Sequence, residues 1–302
     1  MDGILFLVLA CLTAFVSIKL SYYGDILSKQ TKISTAFIGG LLIAAVTSLP
    51  EFVTSISAVI LDNPSLSFGD ILGSNMFNIF ALSIYNLFFF KKFIFSNSKS
   101  TFLHECLILL IEYIFILLNL RILTTIVLFI LYFLYAFKVS KTENKEIQET
   151  KTEKYPLLKF IIVGILLIIL SILLTLQADK LTHTYPHISS STIGAILLGI
   201  TTSLPEVVST FALIKYDNYD MAIANILGSN IFNFLVLSIS DLFNDNSIYN
   251  MVDINSKMYL YGGILVTILL LGSLIKKNKF LSVVLSIIIS LSYLIVWYFQ
   301  FD

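Results

Sequence analysis

Charge is scarce in this chain. Asp, Glu, Lys and Arg supply 13% of its 302 residues, against about 25% in a soluble domain. That shortage excludes an ordinary water-soluble fold. A hydrophobic fraction of 57% and a mean hydropathy of +0.92 point instead to lipid as the main solvent. Cysteine is limited to Cys11 and Cys106, each in or beside an apolar segment. With no CxxC and no Cys/His cluster, a disulfide framework and a soft-metal site are both excluded, and no cofactor is expected. Histidine is equally sparse, and His104, His183 and His187 fall in expected loops. The apolar run Ile4–Ile18 lacks a basic leader and an Ala-x-Ala cleavage site, so it reads as a retained span rather than a signal peptide. Net charge is zero. Neither a nucleic-acid partner nor an obligatory protein partner is expected.

A bilayer crossing needs about 20 apolar residues. Apolar runs between polar breaks predict ten helices, at 3–23, 35–61, 66–90, 102–119, 122–139, 157–178, 190–214, 221–242, 258–275 and 280–299. The second, third, seventh and eighth carry polar motifs and are expected to be broken. The other six are plain Leu/Ile/Phe/Val spans, expected to act as scaffold. With the N-terminus outside, 16 of the 19 basic residues fall on the inner side, and only Arg121, Lys180 and Lys257 fall outside. This split fits the positive-inside rule with both termini outside. The expected location is a multi-pass protein of a prokaryotic inner membrane.

The chain repeats itself. TSLPE occurs at Thr47–Glu51 and at Thr202–Glu206, each inside a membrane-length apolar stretch. GSNxFN follows 22 residues after each Glu, at Gly73–Asn78 and Gly228–Asn233. At an offset of 155, residues 39 to 83 align with the second half without a gap, with 19 identities in 45 positions. Residues 1–139 and 157–302 are therefore expected to be two repeats, with 140–156 as a polar cytoplasmic linker. Five crossings per unit is an odd number, so the second copy enters from the opposite side. Inverted repeats of this kind form substrate sites at mid-membrane, between broken helices.

The motifs carry hard oxygen donors. Proline removes a backbone donor and opens a helix one turn earlier, so carbonyls near Ala44 and Gly199 are expected to face a cation. Thr47, Ser48, Thr202 and Ser203 add hydroxyls within a turn of Glu51 or Glu206, and Ser74/Asn78 and Ser229/Asn233 share helix faces. Gly73 and Gly228 allow close helix approach. Oxygen donors of this kind suit Ca²⁺ or Na⁺ and not zinc or copper. Two carboxylates about 5 Å apart at an effective dielectric near 20 repel by roughly 3 kcal/mol. An empty, doubly charged site is therefore disfavoured, and it should hold a divalent ion, monovalent ions or protons. Intramembrane carboxylates are costly and by default functional. Asp70 reads as a helix-start cap or part of an access path. Glu105, Glu112 and Asp179 lack duplicated partners and are expected near interfaces or bonded to neighbouring helices.

GLLIAAVTSLPEFVTSI with GDILGSNMFNIF, and GAILLGITTSLPEVVST with NILGSNIFNFLVL, resemble the paired repeats of the calcium/cation antiporter superfamily. The nearest likeness is to prokaryotic sodium/calcium exchanger-like proteins. The resemblance implies an all-α membrane protein of ten helices in two inverted five-helix repeats, with alternating access around a central site. By motif position, Glu51, Glu206, Thr47 and Thr202 would coordinate Ca²⁺. Flanking Na⁺ sites would use Ala44, Ser48 and Ser74 on one side and Gly199, Ser203 and Ser229 on the other, with Asn78 and Asn233 at the centre. Sodium/calcium exchangers carry Asp where this chain has Asn233, and the large calcium-sensing loop of animal members is absent. The expected function is exchange of transiently bound Ca²⁺ for Na⁺, with Ca²⁺/H⁺ exchange as the alternative. A cation channel would show symmetric carbonyl rings, and an intramembrane hydrolase an asymmetric nucleophile/base pair. Neither matches two halves that offer the same groups, so no enzymatic activity is expected.

Overall fold

The computed structural model describes residues 2–93, 99–141, 153–182, 198–244, 247–250, 254–275 and 278–299. Among these the chain is helical almost throughout, with no extended strand. The first half contains α1 (Asp2–Gln30), α2 (Thr35–Thr47), α3 (Leu49–Ile60), α4 (Pro64–Phe93), α5 (Lys99–Leu118) and α6 (Ile122–Ser140). The second contains α7 (Pro156–Thr182), α8 (Gly199–Thr202), α9 (Leu204–Lys215), α10 (Tyr219–Leu242), α11 (Ile254–Ile275) and α12 (Lys279–Tyr298). Seven of these helices are long and apolar enough to cross a bilayer, and α2 with α3 makes one further, bent span. The other two expected crossings fall on α5 and on α8–α9, the start of the latter lying outside the described residues, as does most of the expected linker.

The protein is an all-α, multi-pass membrane protein. Burial divides its spans into two kinds. In the most apolar stretch of α10, 89% of residues are buried, and in α4, 67%, against 28% in α1, α6, α7 and α12. The helices carrying GSNxFN therefore form the centre, and the plain spans face lipid. The packing is two-fold: α1 lies on α9 as α7 lies on α3, and α4 meets α10 between them. α1 runs seven residues past its expected end because Ile26 and Leu27 are also buried. Lys19 lies on this helix, its Nζ 5.6 Å from the Phe15 ring.

Local chemistry sets the breaks. Ser48 (φ −89°, ψ 6°) and Ser203 (φ −79°, ψ 1°) leave helical geometry just before Pro50 and Pro205. These prolines occupy the first turns of α3 and α9, where a missing N–H costs no helical bond, and α3 leaves α2 at 42°. Upstream, Ile38–Ile43 is wound into wide π turns that direct the Ala44 N–H to Gly39 O. The duplicated Asp-Asn also finds its reason. Asp62 (φ 60°) and Asp217 (φ 61°) take left-handed turns that end α3 and α9. Asn63 N and Asn218 N then close back on Ala58 O (2.8 Å) and Leu213 O (3.0 Å).

The expectation that the third and eighth spans are broken is corrected. α10 is continuous through its motif, and α4 departs from helical geometry only at Phe89, away from it. GSNxFN contains no proline, so its polar side chains meet the centre from an intact backbone. Gly228 lets the two central layers touch: a Cβ there would lie 2.2 Å from Gly40 O and 2.6 Å from Gly40 Cα.

Candidate ion site

The breaks place Glu51 and Glu206 in the first turns of α3 and α9, both fully buried. Helix N-termini favour negative charge through their free N–H groups and dipole. Each carboxylate is held by a serine of the opposite half. Ser203 Oγ donates to Glu51 Oε1 at 3.0 Å, and Ser48 Oγ donates to Glu206 Oε1 at 2.7 Å. Thr202 and Ser74 also face Glu51, and Thr47 faces Glu206.

Between the central helices lies an amide quartet with the same reciprocity. Asn75 Nδ2 donates to Asn230 O (3.2 Å) and Asn230 Nδ2 to Asn75 O (3.0 Å). Asn78 Nδ2 donates to Asn230 Oδ1 (3.0 Å) and Asn233 Nδ2 to Asn75 Oδ1 (2.9 Å). All four donors are thereby turned toward the partner helix. Glu51 Oε2, Glu206 Oε2, Asn78 Oδ1 and Asn233 Oδ1 remain buried without a partner, as does Ser229 Oγ. An unmet buried acceptor costs about 1–3 kcal/mol, more when charged. Two carboxylate and two amide oxygens are thus left bare in matched pairs, and hard oxygen donors of this kind suit Ca²⁺ or Na⁺.

Ser74 lies with the second half: its Oγ donates to Gly199 O at 3.2 Å and stands 3.3 Å from Thr202 Oγ1. The expected grouping of Ser74 with Ala44 and Ser48 is thus corrected, because the repeats interlock and each flank draws on both. The carbonyls of Ala44 and Gly199 are not freed either. They still accept from Ser48 N (3.0 Å) and Ser203 N (3.3 Å), since a proline at position 50 or 205 deprives the carbonyl four residues earlier, that of Val46 or Thr201. Thr47 Oγ1 lies 3.0 Å from Ile43 O and 3.2 Å from Ala44 O.

Other ionisable residues depart from expectation. Asp70 is no cap; it is fully buried inside α4, with Thr202 Oγ1 3.2 Å from its Oδ1. Glu105 and Glu112 are buried in α5 with all four carboxylate oxygens unpartnered, so neither is hydrogen-bonded to a neighbouring helix. His104 is on helix α5 rather than in a loop, because the helix starts at Lys99. His183 and His187 lie outside the described residues, as does the side chain of Asp179. Outside the spans, the Lys159 ammonium at 2.5 Å holds the Glu153 carboxyl below the usual carboxylate range. Among the described residues no three His, Cys, Asp or Glu side chains gather as a metal-holding cluster. Asn75 and Asn230 are residues of this quartet that motif reasoning passed over. Their signal was identity in both copies, one helical turn before Asn78 and Asn233.

The sodium/calcium exchanger protein family matches residues 3–140 and 155–301. The chain belongs to that family. By membership it is a membrane cation antiporter and not an enzyme. Among its relatives, inner membrane protein YrbG of Escherichia coli is 26% identical over 75% of this chain and 74% of its own length. A protein named as antiporter CaxA, from Alkalimonas amylolytica, is 26% identical over 72% of each chain. The sodium-calcium exchanger NCX_Mj superposes with a TM-score of 0.74 at 22% identity, covering 97% of both chains. That likeness establishes the fold.

Proposed function

We propose that the protein exchanges Ca²⁺ for Na⁺ across a prokaryotic inner membrane by alternating access, as a two-repeat carrier. The observation that carries the reading is the set of four unpartnered oxygens on Glu51, Glu206, Asn78 and Asn233, buried between reciprocally bonded halves. Ca²⁺ takes 6–8 oxygen ligands. Those four oxygens, with the remaining carboxylate oxygens and the hydroxyls of Thr47 and Thr202, supply that number of donors. Na⁺ would occupy the flanks, where Ser48 with Ser229 and Ser203 with Ser74 add hydroxyls. The two Glu carboxylates neutralise one divalent ion or two monovalent ions. A loaded site is then uncharged at its centre, and an empty one carries two bare negative charges in lipid. The carrier therefore changes sides loaded, and exchange rather than leak follows.

The fold's relatives support the choice of ions. NCX_Mj is named a sodium-calcium exchanger and was solved after soaking with Na⁺, Ca²⁺ or Sr²⁺. The test is ⁴⁵Ca²⁺ uptake into proteoliposomes under a Na⁺ gradient or a pH gradient. Uptake driven by internal Na⁺ supports the reading. Uptake that follows only the pH gradient replaces it with Ca²⁺/H⁺ exchange.

A further inference from the structure

The two halves differ in charge at a buried position beside the site. Asp70 and Asn225 are equivalent at the repeat offset, both fully buried and each one turn before the motif serine. Asn225 brings protons to its surroundings. Its Nδ2 lies within bonding distance of Glu206 O (3.3 Å), Ser209 Oγ (3.0 Å) and Thr210 Oγ1 (2.9 Å). Asp70 brings none. Its Oδ1 lies 3.2 Å from Thr202 Oγ1, which is also 3.0 Å from Leu198 O and 3.3 Å from Ser74 Oγ. Ser74 Oγ in turn lies 3.2 Å from Gly199 O.

The proton count is decisive. Five oxygens gather here: Asp70 Oδ1, Thr202 Oγ1, Ser74 Oγ, Leu198 O and Gly199 O. The two hydroxyls can donate one proton each, Ser203 N supplies one more to Gly199 O, and with Asp70 ionised the other three oxygens are acceptors only. Asp70 Oδ2 is buried with no partner, and so is Oε2 of Glu51. Lone pairs therefore outnumber protons on this flank, and a cation restores the balance.

We infer that Asp70 is a third acidic ligand of the transport site, making the Ser74–Thr202–Gly199 flank an anionic Na⁺ subsite while the Asn225 flank stays neutral. The inference rests on the exchange reading above but concerns one flank only. With Asn233 neutral, Asp70 adds one carboxylate on this flank to the two at the centre. The two Glu carboxylates still neutralise one Ca²⁺, and Asp70 neutralises a Na⁺ on its own flank. Na⁺ loading, more than Ca²⁺ loading, depends on Asp70.

The test compares wild type with Asp70→Asn, an isosteric change to the residue the other repeat carries. Thermal unfolding of the purified protein is followed against NaCl and against CaCl₂, with choline chloride holding ionic strength. The expected result is that half-saturating Na⁺ rises about tenfold or more, with half-saturating Ca²⁺ moving less than threefold. Unchanged Na⁺ dependence in Asp70→Asn, or equal loss of both ions, overturns the inference. If wild type is stabilised by Ca²⁺ but by no concentration of Na⁺, the exchange reading fails first, and the Asp70 subsite falls with it. Should Asp70→Asn not fold, Asp70→Glu keeps the charge but displaces it, and the same selective loss of Na⁺ stabilisation is required.

Discussion

Ser48 donates its hydroxyl to Oε1 of Glu206 at 2.7 Å, across 158 positions of sequence and between the two halves. Ser203 and Glu51 repeat the relationship in the other direction at 3.0 Å. Each carboxylate is thus bonded by a serine of the other half, so the candidate ion site lies where the halves meet. Any rocking of one half against the other must break or remake these bonds. On the proposed function, ion occupancy and access would be coupled through the same four residues.

Replacing one carboxylate should disable transport. Glu51→Gln and Glu206→Gln each remove one of two charges that neutralise a buried Ca²⁺, at a cost of about 3 kcal/mol or more, equivalent to over ~100-fold in affinity. Proteoliposome Ca²⁺ uptake should fall to background in both variants, with monodisperse protein retained on size exclusion. Uptake above half of wild type in either variant removes the paired-site reading.

Asn233→Asp tests the centre differently. The substitution deletes the Nδ2 donor to Asn75 Oδ1 and adds a negative charge. Loss of the donor leaves a buried acceptor unmet, worth about 1–3 kcal/mol, so the ion-free protein should unfold at a lower temperature. The added charge should change the Na⁺ dependence of Ca²⁺ flux more than the Ca²⁺ half-saturation. A variant with wild-type stability and wild-type Na⁺ dependence contradicts the quartet's role.

Much of this was legible in the sequence because it was written twice. Membrane-length runs located the spans, and TSLPE located both breaks, since a Pro inside an apolar run has few other meanings. The duplicated GSNxFN located the central helices, but the intact backbone of α4 and α10 was hidden: polar side chains in lipid read as an interruption whether or not the helix breaks. The swap of Ser74 to the Gly199 side was also hidden, because an offset alignment matches residues within each half and is silent on which half they touch. Asp70 reads as a cap or access-path residue for the opposite reason. It breaks the repeat, and a search for repetition discounts the residue that differs.

Gly228 should tolerate no side chain. Its α-carbon faces Gly40 so closely that a Cβ would enter backbone atoms rather than a flexible side chain. Overpacking in a core costs about 1–3 kcal/mol even where side chains can yield. Gly228→Val should therefore lower the unfolding temperature of the detergent-solubilised protein and reduce its yield. Gly3→Val, at a position with no atoms within 4 Å of a new Cβ, should do neither. Equal stability of the two variants rules out the glycine contact as a constraint.

Orientation follows from the basic residues, 16 of 19 on one side under the ten-crossing reading. In a variant with Cys11 and Cys106 replaced, single cysteines at Ser96 and Thr150 should be protected from an impermeant maleimide in intact cells and labelled after permeabilisation. Labelling from outside at either position reverses the assignment.

The driving ion is the last question the site can answer. A proton carrier needs only titrating carboxylates, yet Thr47, Ser48, Ser74, Thr202, Ser203 and Ser229 surround them, all buried. Four of these hydroxyls, on Ser48, Ser203, Ser74 and Thr202, lie within hydrogen-bond distance of groups in the opposite half. Such hydroxyls suit Na⁺ as oxygen ligands, and a proton carrier does not require so many of them. Vesicles loaded with Na⁺ and diluted into Na⁺-free buffer should accumulate Ca²⁺, and a protonophore should leave that uptake standing when the membrane potential is clamped. Ser203→Ala and Ser48→Ala should each weaken the Na⁺ dependence, by ~10-fold for a lost ligand and hydrogen bond together. Ca²⁺ uptake indifferent to Na⁺ but abolished by collapsing the pH gradient would make the hydroxyls packing groups and Glu51 and Glu206 the proton carriers.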